Sequence, residues 1–305
     1  RIVDVACDDL YFDIATMSGD ALASDVFRSL KPGQRFWVTE TGSAALSTGK
    51  PPHADQLRAW AFSAAARGSD AHVIFRWRTC LAGQEQDLQG IIETSGKPRR
   101  RYAAVRRLFE EMEDLVPTLG SLPLPKADVA LVHTYDSHWA WQSTRIGGQV
   151  KEMEHLFAVH ELLFDRNVLV DAVPADRDFS PYKLVILPSV CIVRPETAAA
   201  LQAYVRAGGV VLATPQLASR DVNNNYVPRT APDGLGDLFG LRVESKAFLD
   251  DACEPDRAIW FPKGNMVLET AHARFIDGAV CEARAYVEDL DLVGAKPIAE
   301  FSDNL

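Results

Sequence analysis

Cysteine is scarce and scattered. The five residues, at 7, 80, 191, 253 and 281, are odd in number and form no C-x-x-C or C-x-x-H pair. That excludes a disulfide framework and a cysteine-based zinc site, and it favours a reducing compartment, hence a cytoplasmic location. No apolar run approaches the roughly 18–20 residues of a membrane span. No charged leader precedes a cleavable apolar stretch, so no signal peptide is expected. Basic residues are outnumbered, with 32 Lys and Arg against 42 Asp and Glu and a formal charge of −10. A balance of that sign argues against nucleic acid, because phosphate binding needs a basic surface. Internal repeats and low-complexity tracts are missing too.

What is present is the composition of an ordinary globular protein, 47% hydrophobic and 24% charged over 305 residues. Two domains of about 100–200 residues each are expected. The chain enters at Arg1 directly into an apolar run and stops at Leu305 without a polar tail, which reads as cuts through a longer chain.

Residues 1–116 alternate strand and helix signals. Strands are expected at Arg1–Cys7, Arg35–Thr39 and Ala71–Trp77, and helices at Ser18–Leu30, Ala54–Arg67 and Arg101–Leu115. Short apolar strands separated by helices imply a parallel sheet buried on both faces. Residues 116–126, with three prolines and a glycine, read as a linker. A second β/α series follows, with strands at Val129–Tyr135, Val168–Val173, Leu184–Pro188 and Val210–Thr214 and helices at Val150–Phe164 and Arg194–Ala207. It reads as a doubly wound, flavodoxin-like sheet. From 216 to 305 the pattern weakens into loops and short strands.

Three strand ends could carry chemistry. Glu40 follows Phe36-Trp37-Val38-Thr39 and precedes a Gly/Ser loop, the place where β/α folds put catalytic groups. It reads equally as a helix cap or an arginine partner. Arg76, Trp77 and Arg78 put cations and an aromatic face at another strand end. An arginine there can hold a carboxylate, and a tryptophan can stack on a sugar; a salt bridge and packing are the plain alternative. At the third end, for Asp8, Asp9 and Tyr11, helix capping and surface charge are the plainer reading.

Other features are weaker. Arg99-Arg100-Arg101 read as a solvated helix start, and the cysteines as small buried hydrophobes. His155 and His160 lie five apart, not the four of a metal-binding helix pair. His138-Trp139-Ala140-Trp141 follow a strand end where open sheets bind ligands, but an aromatic interface plug is favoured. The second domain lacks a cysteine on a strand-to-helix elbow, so no glutamine-amidotransferase chemistry is expected of it.

These residues resemble glycoside hydrolase family 42 β-galactosidases. Arg35-Phe36-Trp37-Val38-Thr39-Glu40 is similar to the family's nucleophile strand. Gly68 to Arg78, then Ala82-Gly83-Gln84-Glu85, resembles its last barrel strand and the loop after it, and Asp4 to Tyr11 its sixth strand. His133 to Ala140, Tyr182 to Pro188 and Tyr204 to Gly209 resemble its trimerisation domain. The resemblance implies an α/β protein. Residues 1–116 would be the C-terminal units of a (β/α)8 TIM barrel. Residues 127–305 would be a flavodoxin-like, glutamine-amidotransferase-like trimerisation domain truncated at its C-terminus.

It further implies a retaining β-galactosidase with Glu40 as nucleophile. Glu85, Arg76, Trp77 and Tyr11 would bind substrate, with no metal and no cofactor. A β-galactoside is the implied partner, in a homotrimer, with a missing N-terminal barrel half on another stretch of chain. The family's acid/base Glu follows an Asn, and no Asn-Glu pair occurs in these 305 residues. The chain alone is therefore expected to be inactive. The alternatives are a non-catalytic oligomerisation module and a divergent member acting on another β-glycoside. The second is motivated by Thr48 and Leu88, which stand where the family has a Trp and a His.

Overall fold

The computed structural model describes residues 3–11, 17–44, 51–143, 152–248, 271–283 and 286–301. Thr48, Cys253 and the start of the expected first strand lie outside the described residues. The chain divides into two compact units, Arg1–Ala127 with His160–Val173, and Asp128–Val159 with Pro174–Leu305.

In the first unit β1 (Cys7–Asp9), α1 (Met17–Leu30), β2 (Phe36–Gly42), α2 (Ala54–Ala66), β3 (Ser69–Phe75) and α3 (Arg100–Ser121) follow in turn. The three strands are parallel in the order β1-β2-β3. Among the described residues only one face of the sheet is covered. Phe36 and Val38 pack with Ala6, Ala64, Leu10 and Phe27, while Trp37, between them, is 42% exposed and Val73 51%. Burial on both faces was the expectation. The alternation replaces it because helices lie against one side of these strands and the other side is open. Leu57, Trp60 and Ala61 of α2 meet Val105 and Leu108 of α3 in a second cluster.

Local signals set the helix limits. His53 and Gln56 form a capping box at the start of α2, the Gln56 side chain accepting from the His53 backbone N–H at 2.7 Å. Gly68, at φ +109°, turns the chain out of α2 and into β3. The expected linker is shorter than its prolines imply, because α3 continues through Pro117 to Ser121. Pro117 sits on an exposed stretch where a carbonyl left without an N–H partner can meet water. Beyond it, Arg35 Nη2 donates to the carbonyls of Leu119 and Leu122 at 3.1 Å each. A cation on the last carbonyls stabilises a helix C-terminus.

In the remainder of the chain β4 (Val129–Val132), α4 (Tyr135–Ser143), α5 (Glu152–Phe164), β5 (Val170–Val173), β6 (Leu184–Leu187), α6 (Pro195–Arg206) and β7 (Val210–Ala213) continue the β/α alternation. Residues 160–173, the end of α5 and all of β5, belong to the first unit. In the second unit β6 pairs in parallel with β4 and with β7. Every residue of β4 is buried. β4 stops three residues earlier than expected because Thr134 caps a helix: its Oγ1 accepts from the Ser137 N–H at 3.1 Å. Next come α7 (Gly236–Phe239), β8 (Leu241–Phe248), β9 (Ala271–Phe275), β10 (Val280–Ala283), β11 (Tyr286–Leu292) and β12 (Ala299–Phe301). β8 pairs antiparallel with β11, and β9 with β10 and β12.

The cysteines do not behave as a class. Cys191 is buried, but Cys7 and Cys281 are exposed and Cys80 is intermediate. Cys7 stands on an exposed position of β1 and Cys281 on an exposed position of β10, so neither fills a core. Among the described residues no helix is long and apolar enough to cross a membrane.

Candidate active site

Parallel strands send their C-terminal ends to one edge, and the sequence loads that edge with acids. Glu40 lies inside β2, two residues before its end, and the register places it beside Asp9 of β1. The Leu10 N–H donates to the Glu40 carbonyl at 2.9 Å, and Thr39 Oγ1 donates to the Asp8 carbonyl at 3.0 Å. Those bonds fix the Tyr11 backbone next to Glu40. Tyr11 Oη then donates to Glu40 Oε1 at 2.6 Å, 29 residues away in sequence. A short bond of this kind to an ionised oxygen is charge-assisted. Burial first, then that hydrogen bond and the charges of Glu40, Asp9 and Glu85, push the Tyr11 phenol well above its ordinary value.

The third strand end supplies a clamp. Arg76, directly after β3, holds Glu85 Oε2 with its Nη1 at 2.9 Å, and its guanidinium carbon lies 5.3 Å from the Phe75 ring centre. Glu85 rides on a loop that folds back on the strand end. The Ile91 N–H donates to the Arg76 carbonyl at 2.7 Å and the Ile92 N–H to the Trp77 carbonyl at 2.9 Å. Gly90 makes that return possible, since a Cβ there would lie 2.5 Å from the Arg76 carbonyl oxygen. Trp77 is 62% exposed, with the edge of Tyr102 against it at 6.3 Å.

The acids raise one another. Desolvation and the Glu40 charge lift the exposed Asp9, while partial burial and the Asp9 charge lift Asp8, against a backbone hydrogen bond that lowers it. Crowded carboxylates beside a cation and two aromatic rings can bind hydroxyls, hold an anionic nucleophile and stack an apolar ring face.

Glu40, Tyr11, Arg76 and Glu85 are thus tied in bonded pairs, and Trp77 stands on the same strand end as Arg76. The capping reading of Asp8 and Asp9 does not hold, because both lie within β1. Sequence reasoning missed Gly90, one of three glycines in the loop between β3 and α3. It also took Arg101 for solvated, whereas Arg101 donates to the Gly90 carbonyl at 2.9 Å and to Glu93 Oε2 at 2.7 Å and braces the same loop. Leu88 sits in that loop, its carbonyl accepting from the Cys80 N–H at 3.0 Å.

A carboxylate also stands near the end of β4 in the second unit. Glu152 is buried, with His138 Nδ1 3.0 Å from one oxygen and His133 Nδ1 3.5 Å from the other. Burial pushes the Glu152 carboxyl up, but His138 and His133 together outweigh it and hold the group below its ordinary value. Of the expected aromatic plug, Trp141 is core, its Nε1–H donating to the Ser189 carbonyl at 2.8 Å. Trp139 is 60% exposed. Among the described residues no group of three or more His, Cys, Asp or Glu is placed to hold a metal ion.

A family model described as "Beta-galactosidase" matches residues 3–115, and one described as "Beta-galactosidase trimerisation domain" matches residues 127–305. The chain belongs to the glycoside hydrolase family 42 β-galactosidases. Beta-galactosidase Bga of Halorubrum lacusprofundi is 35% identical over 225 residues, 72% of this chain and 31% of that protein. Beta-galactosidase BgaH of Haloferax lucentense is 34% identical over 75% of this chain and 34% of its own length. The family 42 chain thus spans about a third of the curated relatives it matches. The solved structure of the Halorubrum lacusprofundi β-galactosidase superposes with a TM-score of 0.79 at 29% identity, covering 93% of this chain and 40% of that one. That of Bacillus circulans sp. alkalophilus gives 0.87 at 21% identity, over 99% and 44%, a likeness of fold. In the family 42 chain β1–β3 and their helices are accordingly a portion of a TIM barrel within an α/β fold.

Proposed function

We propose that this chain carries the nucleophile side of a retaining β-galactosidase. In that reading the whole protein hydrolyses terminal non-reducing β-D-galactose residues by double displacement. Glu40 attacks the anomeric carbon and forms a glycosyl-enzyme ester, which water then hydrolyses. Tyr11 holds Oε1 and so leaves Oε2 to attack. Glu85, set by Arg76, accepts sugar hydroxyls, and Trp77 offers an apolar face. The carrying observation is the 2.6 Å bond from Tyr11 to Glu40 at adjacent parallel strand ends, with the Arg76–Glu85 clamp on the next strand.

A retaining site needs a second carboxyl about 5–5.5 Å from the first to protonate the leaving oxygen. The family's Asn-Glu pair for that task is not among these 305 residues. The acid/base group and the other barrel strands would therefore come from residues outside this sequence. Residues 1–116 would be the barrel part, and residues 127–305 the flavodoxin-like trimerisation domain of a cytoplasmic homotrimer. The test is hydrolysis of p-nitrophenyl β-galactoside by this chain, with and without an added N-terminal barrel half. Activity only on addition supports a split site built on Glu40; activity of the chain alone overturns the assignment of the acid.

Leu88 favours a second reading, a divergent β-glycosidase. A leucine cannot give the hydrogen bond that the family's histidine would give at that place. A panel of aryl β-glycosides decides, since a better substrate than the galactoside would replace it.

A further inference from the structure

The alternation of β2 breaks at its acid. Phe36 and Val38 are 1% and 0% exposed and pack with residues of the flanking helices, while Trp37 is 42% exposed on the open side. Continued two by two, that pattern would put Glu40 on the helix side with Phe36 and Val38. It does not continue. Thr39 is exposed, Glu40 is half-buried, and Thr41 and Ser43 take the buried positions, at 2% and 1% exposed. The pairing shows why. On one side Val38 stands opposite Asp8 and Glu40 opposite Asp9, two steps of β2 against one of β1. On the other side Val38 stands opposite His72 and Thr41 opposite Ile74, three steps against two of β3. Both neighbours thus place one extra residue in β2, at Thr39–Glu40. It is a β-bulge, and one extra residue moves every side chain after it to the other face.

A bulge disrupts the ladder locally, so a register that contains one needs bonds of its own. The Thr39 side chain supplies one, its Oγ1 donating to the Asp8 carbonyl at 3.0 Å. Beyond the bulge the Leu10 N–H donates to the Glu40 carbonyl at 2.9 Å. The extra residue is thus fastened to β1 before and after the acid. We infer that the Thr39–Glu40 bulge is what turns Glu40 to the open side of the sheet, with Thr39 as its positioning residue. The inference rests on the reading of Glu40 as the nucleophile. In the regular register the same sequence would point Glu40 toward the helices and Thr41 outward. In the bulged one Glu40 meets the Tyr11 hydroxyl at 2.6 Å on the neighbouring strand end. Thr39 acts on the reaction through Glu40, by holding the register that presents it.

Hydrolysis of dinitrophenyl β-galactoside by the whole protein tests this. Its leaving group departs without a proton, so kcat/KM reads attack by the nucleophile. Thr39→Val keeps the branched shape and removes the hydroxyl. Its kcat/KM is expected to fall about five- to tenfold, with the inhibition constant of galactose changed by less than about twofold and with Thr39→Ser restoring the rate. An unchanged kcat/KM in Thr39→Val overturns the positioning role. So does a loss that galactose binding shares, or one that Thr39→Ser fails to restore. Should Thr39→Val fail to fold, Thr39→Ala decides, because it removes the same hydroxyl. Glu40→Gln, run beside them, separates the two readings. If it keeps wild-type activity, the nucleophile assignment falls and the bulge's role falls with it. If it is inactive while Thr39→Val matches wild type, only the role of Thr39 falls.

Discussion

Two carboxylates near the ends of parallel strands meet opposite fates. Glu40, in the first unit, is half-buried, with Tyr11 on one oxygen and exposed aromatic surface around it. Glu152, in the second, is buried and held between His133 and His138. What differs is the partner. A phenol holds one Glu40 oxygen, whereas an imidazole of α4 is bonded to one Glu152 oxygen and a second imidazole, just beyond β4, stands 3.5 Å from the other. Glu40 sits on a strand, Glu152 in the first turn of α5.

The contrast breaks most sharply at Glu40. Glu40→Gln in the whole protein should lower kcat/KM for an aryl β-galactoside by on the order of 10³-fold or more, while leaving the thermal unfolding midpoint nearly unchanged. Activity equal to wild type removes Glu40 from the nucleophile role. Tyr11→Phe deletes one hydrogen bond to a charged group, worth about 1.5–3 kcal/mol, so a roughly ten- to hundredfold loss of kcat is expected in the same assay. A change in KM alone would mean that Tyr11 touches sugar rather than Glu40.

The second carboxylate should respond the other way. Glu152→Ala removes the His138 partner and is expected to destabilise the second unit by about 1–3 kcal/mol in denaturant unfolding, with no effect on the chemical step. Glu152→Gln, which keeps an acceptor, should cost less.

Acid sharpens the comparison last. Burial lowers His72 of β3 from 6.5 to about 4. The unfolded chain then binds the proton more readily, so stability is full above the unfolded value and is lost as pH falls toward the folded one. The first unit should soften across that window, and His72→Asn should remove this part of the slope. His155, also lowered by burial, adds a contribution of the same sign in the second unit. The Glu152 contribution persists further: its folded value lies below 4.5, so it is lost only as pH drops through that lower range. Exchange rates of 69–75 followed against pH in wild type and His72→Asn check this; a variant that keeps the wild-type pH dependence would defeat the prediction.

The strand–helix order of both units was legible, because Phe36-Trp37-Val38 and Leu184-Val185-Ile186-Leu187 are short apolar runs between amphipathic helices. Glu40 stood out only as one of two equal readings, and Glu85 came from the resemblance to the family; that Arg76 bonds Glu85 is seen only in the fold. Thr134 as a helix cap was legible in principle and was passed over for the apolar run before it.

Sequence by itself determined element order, the acidic strand ends and the family, because these depend on local pattern and residue type. Tertiary structure alone decided the rest. Arg35 caps the end of α3 through the Leu119 and Leu122 carbonyls, 84 and 87 positions away in sequence. Asp25 is a buried hub because Arg67 and His160 arrive from far along the chain. Gly90 matters because the Arg76 carbonyl passes within touching distance. Each is a contact between residues remote in sequence, and the free energy of such contacts is set by packing that no local window contains.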